Sequence, residues 1–182
     1  MLTGVNLVSG TLRRIVRADA LRSTLIGFVA VAVLMLVSFR GLKMTLLTFV
    51  PFVAGAAGML GLMAVLGLEF NFMNIFVGLM IIGVATDYAV YILQRYIESP
   101  ARFPLAAHET GKAVVMAAIT TIVGYGSFAL SHYPGLRSIG YASTFGIGLS
   151  GLAAITLLPA ILVLGEKSDV QHEIVDDSAT AG

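Results

Sequence analysis

Five long apolar stretches constrain the fold of this chain more than any other feature of its sequence. A helix needs about 20 predominantly apolar residues to cross the hydrocarbon core of a bilayer. Charged residues make up 12% of the chain, against about a quarter in soluble proteins. The sequence therefore predicts an all-α, polytopic membrane protein with five transmembrane helices. The predicted spans cover residues 23–39, 44–68, 71–94, 112–131 and 138–164.

Two polar segments flank these spans, so that a membrane domain is predicted over residues 21–165. In residues 1–20, apolar positions recur near helical spacing while three arginines fall on or beside the other face. This pattern predicts an amphipathic helix on the membrane surface, with a signal-anchor segment as the alternative. Residues 166–182 hold five of the ten acidic residues and little that is apolar, so we expect a disordered acidic tail.

Composition excludes several classes of function. Cysteine is absent, so no disulfide or thiolate chemistry is available, and the three histidines show no metal-ligand spacing. A formal net charge of +1 is too small to indicate a nucleic-acid partner. No hydrolytic motif or nucleotide-binding loop is present, and we therefore predict neither an enzyme nor a bound cofactor or metal.

Asp87 is the one acidic residue inside the predicted spans, whose only other charged residue is Lys112 at the first position of the fourth span. A carboxylate near the centre of a bilayer costs about 2.5–3.5 kcal/mol on insertion scales, and such residues commonly mark ion or proton pathways. Asp87 is therefore predicted to carry protons. The alternative is a protonated aspartate that only donates a hydrogen bond to a neighbouring helix.

Four residues are candidates to support Asp87. Gly83 lies one helical turn before it on the same face and leaves room for a neighbour to approach. Tyr88 lies about 100° further round the helix; it can offer its hydroxyl to an adjacent helix, or simply anchor the chain at the interface. Thr120 and Thr121 in the fourth span either face Asp87 and join a proton path or bond back to their own helix.

Small residues predict where helices pack closely. In the second span they form the pairs Ala54 with Gly58 and Ala57 with Gly61, and Pro51 is expected to bend this helix. A second surface of this kind runs along the fifth span. Its members are Gly140, Ser143, Gly146, Ser150 and Gly151.

Basic residues predict the orientation of the spans. The loops after the first and third spans, together with the tail, hold Arg40, Lys43, Arg95, Arg102, Lys112 and Lys167, whereas the opposite loops hold Arg137. The first side should therefore be cytoplasmic. Four arginines ahead of the first span favour the other orientation, and an upstream helix missing from this chain would account for them.

The order of these elements resembles helices two to six of the six-helix repeat in the RND superfamily of transporters, and most closely the MMPL family. The resemblance covers about residues 2–165. Its motifs are Gly83-Val84-Ala85-Thr86-Asp87-Tyr88, Gln94-Arg95-Tyr96, Glu109-Thr110-Gly111-Lys112-Ala113-Val114 and Pro134-Gly135-Leu136.

The resemblance implies a function and a set of partners. In MMPL-type transporters an Asp-Tyr pair at the position of Asp87 and Tyr88 relays protons and couples the proton gradient to export of lipids or other hydrophobic molecules. The implied location is the bacterial inner membrane, among membrane lipids. The first helix, the porter domain and the partner repeat are missing here, so the chain is expected to be a piece of a longer transporter or to need a homologous subunit.

Two other functions fit the same five helices. The unit also resembles sterol-sensing domains, which bind lipids or regulate partners without transport, and a membrane scaffold without proton chemistry is the third possibility. The charge at Asp87 favours transport, because a lipid sensor has no general need of an ionisable carboxylate in the membrane.

Overall fold

The chain forms a bundle of α-helices in the computed structural model, which describes the backbone of residues 2–68, 74–100 and 103–180. Side chains are described for residues 21–68, 74–100 and 106–165, together with Asp19 and Phe103. A 3-10 helix, Ser127–Leu130, follows the fifth α-helix. The α-helices are α1 (Leu2–Phe39), α2 (Leu42–Thr48), α3 (Val50–Val65), α4 (Asn74–Glu98), α5 (Phe103–Gly126) and α6 (Pro134–Thr180).

Within the described residues, five parts of this bundle are long and apolar enough to cross a membrane, which confirms the predicted all-α, polytopic fold. The second of them is built from α2 and α3, which meet at Phe49. Pro51 lies just beyond this joint and lacks the amide that would continue the hydrogen-bond ladder, which accounts for the interruption of the helix there. The five spans are Leu21–Phe39, Leu42–Val65, Asn74–Glu98, Ala106–Leu130 and Pro134–Gly165.

The helices run further than the sequence predicts at both ends of the chain. α1 is one helix from Leu2 to Phe39, where a separate surface helix over 1–20 is predicted, and no proline precedes Pro51 to interrupt it. α6 continues through residues 166–180, where disorder is predicted. That segment contains neither proline nor glycine, and extending an existing helix avoids the cost of nucleating a new one.

One internal boundary also differs clearly from the prediction. α5 begins at Phe103 rather than at residue 112, because the residues before the predicted span continue the same helix. The predicted start of the third span, at Asn71, lies outside the described residues.

α4 occupies the middle of the bundle and contacts each of the other α-helices. One apolar cluster fills the space between α4, α5 and α6 and includes Ile92, Val114 and Leu158. A second cluster lies between α3, α4 and α6 and includes Met59 and Ile81. α1 is the outermost span, since none of its apolar window is buried.

Close packing of α3 against α6 follows the predicted small residues in part. The five small residues predicted on α6 are all buried, as expected. On α3, Gly55 is buried, and a Cβ added to it would lie 2.8 Å from the carbonyl oxygen of Gly146. Ala57 and Gly61 are exposed instead, so this predicted pair does not form the packed surface.

Candidate functional site

One face of α4 is uncovered although the helix is central to the bundle. Phe76, Gly83, Asp87, Tyr91 and Gln94 lie on this face, which we call the Asp87 stripe. Asp87 is exposed. The exposed fraction is 49% for Phe76 and 60% for Tyr91. A Cβ added to Gly83 would meet no described atom within 4 Å. The room predicted beside Asp87 is therefore present and unfilled within the described chain.

Tyr88 points away from the Asp87 stripe, into the bundle. Its side chain is 3% exposed and belongs to the cluster between α4, α5 and α6. A Cβ added to Gly151 would lie 3.6 Å from the Tyr88 ring and 3.3 Å from Cβ of Ala118. The two neighbours in sequence thus face different surroundings: Asp87 faces the outside of the bundle and Tyr88 its interior.

The threonines predicted as supports bond to their own helix. The Thr120 hydroxyl donates to the carbonyl oxygen of Met116 at 2.9 Å, and the Thr121 hydroxyl to that of Ala117 at 2.8 Å. Neither forms a hydrogen bond with Asp87 within the described residues. Thr121 nevertheless lies near the Tyr88 hydroxyl, without forming a hydrogen bond to it. Of the predicted supports, the structure brings Gly83 to Asp87 and Thr121 to Tyr88.

Sequence patterns did not identify the residues that pack against Tyr88. Gly151 was predicted as a packing residue of α6, but its approach to Tyr88 depends on the crossing of two helices, which carries no signal in the sequence. The pair of Asn74 and Ser138 was also missed. The Ser138 hydroxyl donates to Oδ1 of Asn74 at 3.1 Å, and the Asn74 side chain is 1% exposed. Asn74 is the first residue of its span and Ser138 lies one turn into its own, so both are polar residues near the start of an apolar helix.

Replacing Tyr88 with phenylalanine is expected to raise the free energy of unfolding by about 1 kcal/mol. The Tyr88 hydroxyl oxygen is buried and has no hydrogen-bond partner among the described residues. Removing an unsatisfied polar group from the core relieves its desolvation cost while keeping the packed ring. The midpoint of unfolding in mixed micelles measures this, with Tyr91→Phe on the exposed stripe as the near-neutral control. A loss of stability in Tyr88→Phe would show that the hydroxyl does form a bond, with Thr121 as the nearest candidate.

Comparison with known proteins places the chain among membrane proteins and transporters. A membrane protein of Methanocaldococcus jannaschii is 25% identical over 152 residues, or 80% of this chain and 39% of that protein. The hopanoid transporter HpnN of Burkholderia multivorans is 26% identical over 142 residues, or 78% of this chain and 16% of that protein. The apo-petrobactin exporter of Bacillus anthracis is 29% identical over 92 residues, or 47% of this chain and 12% of that protein.

The match to the relatives and the match to the family differ in length. The chain spans less than half the length of each of the three relatives. The match to the family itself is broader, since it covers residues 1–174 and so includes all five spans and the Asp87 stripe. The chain therefore belongs to the MMPL family.

Proposed function

We propose that this chain is the transmembrane segment of a proton-driven exporter of lipids or other hydrophobic molecules, and that Asp87 and Tyr88 relay the proton. The observation that carries the proposal is the position of Asp87, an ionisable group on the uncovered face of the most central helix. A transmembrane carboxylate that faced lipid permanently would cost about 2.5–3.5 kcal/mol without return. A second membrane unit packed on the Asp87 stripe removes the contact with lipid.

The open space at Gly83 supports such a partner. A helix can approach α4 closely where a glycine replaces a larger side chain, which is the usual arrangement of helix contacts in membranes. We infer that the partner is a homologous repeat, either from the remainder of a longer transporter or from a second subunit, and that the porter domain of that transporter selects the substrate. The bacterial inner membrane is the proposed location.

Protonation of Asp87 changes what this face can pack against. A neutral carboxyl donates a hydrogen bond and loses little on leaving water, whereas a carboxylate needs water or a cation. Uptake on one side of the membrane and release on the other therefore favours two different arrangements of the partner on α4. A potential of about 100 mV supplies about 2.3 kcal/mol per proton, which suffices to bias such a step. Tyr88, with its hydroxyl near Thr121, extends the path into the bundle.

Difference infrared spectroscopy across the physiological pH range tests the proton carrier directly. In lipid nanodiscs the carboxyl band of Asp87 is expected to appear and disappear with pH, and Asp87→Asn should remove that band. Glu109→Gln is the matched control, because Glu109 is an exposed acid on α5 outside the Asp87 stripe. A pH-dependent signal that persists in Asp87→Asn would contradict the proposal and leave a lipid-sensing module as the better description.

A further inference from the structure

A groove on the outside of the bundle lies between α5 and α6, away from the Asp87 stripe. Its volume is about 700 Å³, and its walls are largely apolar, formed by residues such as Val115, Met116 and Ile155. Two basic residues also line it, His108 and Lys112. None of the residues of the Asp87 stripe contributes to its lining.

A glycine and a proline are among the residues that line this groove. A Cβ added to Gly111 would lie 3.7 Å from Cγ2 of Ile155, so α5 and α6 approach closely there. Pro159 lines the groove from within α6. Proline has no amide to donate to the carbonyl of Ile155, one turn earlier, so this wall of the groove includes a weakened turn of helix.

The two basic residues form one edge of the groove. They are four residues apart on α5 and therefore share a face of the helix. Lys112 lies about 9 Å along the span that begins at Ala106, and a lysine at that depth extends its ammonium group towards the lipid headgroups. Within the described residues, Lys112 forms no ion pair with the neighbouring acid Glu109, whereas Arg95 on α4 is paired with Glu98 at 3.6 Å.

We infer that this groove binds an anionic phospholipid from the leaflet at the start of α5. One acyl chain lies along the apolar walls, and the headgroup phosphate rests between Lys112 and His108. Charge complementarity selects this occupant: a zwitterionic lipid brings its own cation beside the phosphate and so offsets the attraction to the basic edge, whereas a soluble anion would leave the apolar walls uncovered. The inference needs no proton transfer and is independent of the proposed transport.

Lipid titration followed by native mass spectrometry tests the headgroup contact. The full chain is titrated with phosphatidylglycerol and, separately, with phosphatidylcholine. The wild-type chain should bind phosphatidylglycerol more tightly, and Lys112→Gln should weaken that binding about fivefold, the value of one basic residue near anionic lipid, without affecting phosphatidylcholine. Arg137→Gln, an exposed basic residue outside the groove, is the control and should change nothing. Equal binding of the two lipids, or an equal loss in the control, would overturn the inference.

A second variant tests the acyl-chain contact. Val115→Trp places a large side chain in the groove and should weaken binding of both lipids, while an unchanged unfolding midpoint confirms the fold. Inorganic phosphate should not displace bound phosphatidylglycerol. Displacement by phosphate, together with unchanged lipid binding in Val115→Trp, would show a simple anion site and overturn the inference.

Discussion

Replacing Gly140 with alanine is expected to lower the free energy of unfolding by about 3 kcal/mol, the upper end of the usual cost of overpacking. The added Cβ would lie 2.7 Å from Cα of Ala129 and 2.8 Å from the carbonyl carbon of Phe128. Both atoms belong to the backbone of the 3-10 helix that follows α5, so no change of rotamer relieves the clash. Either α6 or the 3-10 helix has to move.

Gly165 provides the matched control on the same helix. A Cβ added there meets no described atom within 4 Å, so Gly165→Ala should be neutral or gain up to about 1 kcal/mol from helix propensity. The measurement is the midpoint of unfolding in mixed micelles, checked by circular dichroism. Equal stability of the two variants would mean that α6 and the 3-10 helix do not pack as closely as described.

Replacing Asp87 with asparagine is expected to reduce proton-coupled export at least about 100-fold, the lower end of what a positioned proton-transfer group contributes. Asparagine keeps the size and polarity of the side chain but cannot titrate. The assay follows internal pH in proteoliposomes that contain the assembled transporter of which this chain is a part, under an imposed proton gradient. Tyr88→Phe removes one hydroxyl from the relay but leaves Asp87 able to titrate, so it should reduce the rate less.

Glu109→Gln controls for the general loss of a carboxylate in this assay. The exposed position of Glu109 on α5 predicts an unchanged rate. If Asp87→Asn retains most of its proton-coupled rate while remaining folded, the carrier lies elsewhere in the transporter. Reduced assembly with the partner unit, in contrast, would assign Asp87 to the contact between helices, and binding of that unit should therefore be measured in parallel.

The spans were predictable because the cost of burying polar backbone and side chains in lipid dominates the folding of such a chain. The ends of the helices were harder to predict. The polar composition of residues 1–20 indicates a change of environment, and that change does not require a break in the helix, as α1 shows. In the same way, an acidic composition predicts a lack of tertiary burial for residues 166–180, yet it does not prevent α6 from continuing.

The packing face of a helix could be predicted only where its small residues all lie on one side of the helix. On α6, small residues recur on one face and all of them are buried. On α3 the same kind of residue occurs all round the helix, so the sequence could not distinguish Gly55, which meets α6, from Gly61, which meets nothing.

The key residue of the candidate site could be predicted from the sequence, but the spatial arrangement of the residues around it could not. A lone carboxylate in an apolar span identifies Asp87 whatever surrounds it. The different surroundings of Asp87 and Tyr88 depend on which helices flank α4, and the proximity of Thr121 to Tyr88 depends on how α5 crosses α4. Those relations are set by tertiary packing, which the spacing of residues along one helix does not encode.

The continuity of α1 has a mechanical consequence. A helix of 38 residues is about 57 Å long, of which the span Leu21–Phe39 occupies the last half. The first half is therefore a helical arm about 28 Å long that continues into the span without a break. A tilt of the span by about 10° would carry the Leu2 end sideways by about 5 Å, so that small movements of the bundle are amplified into displacements large enough to reposition whatever is attached there.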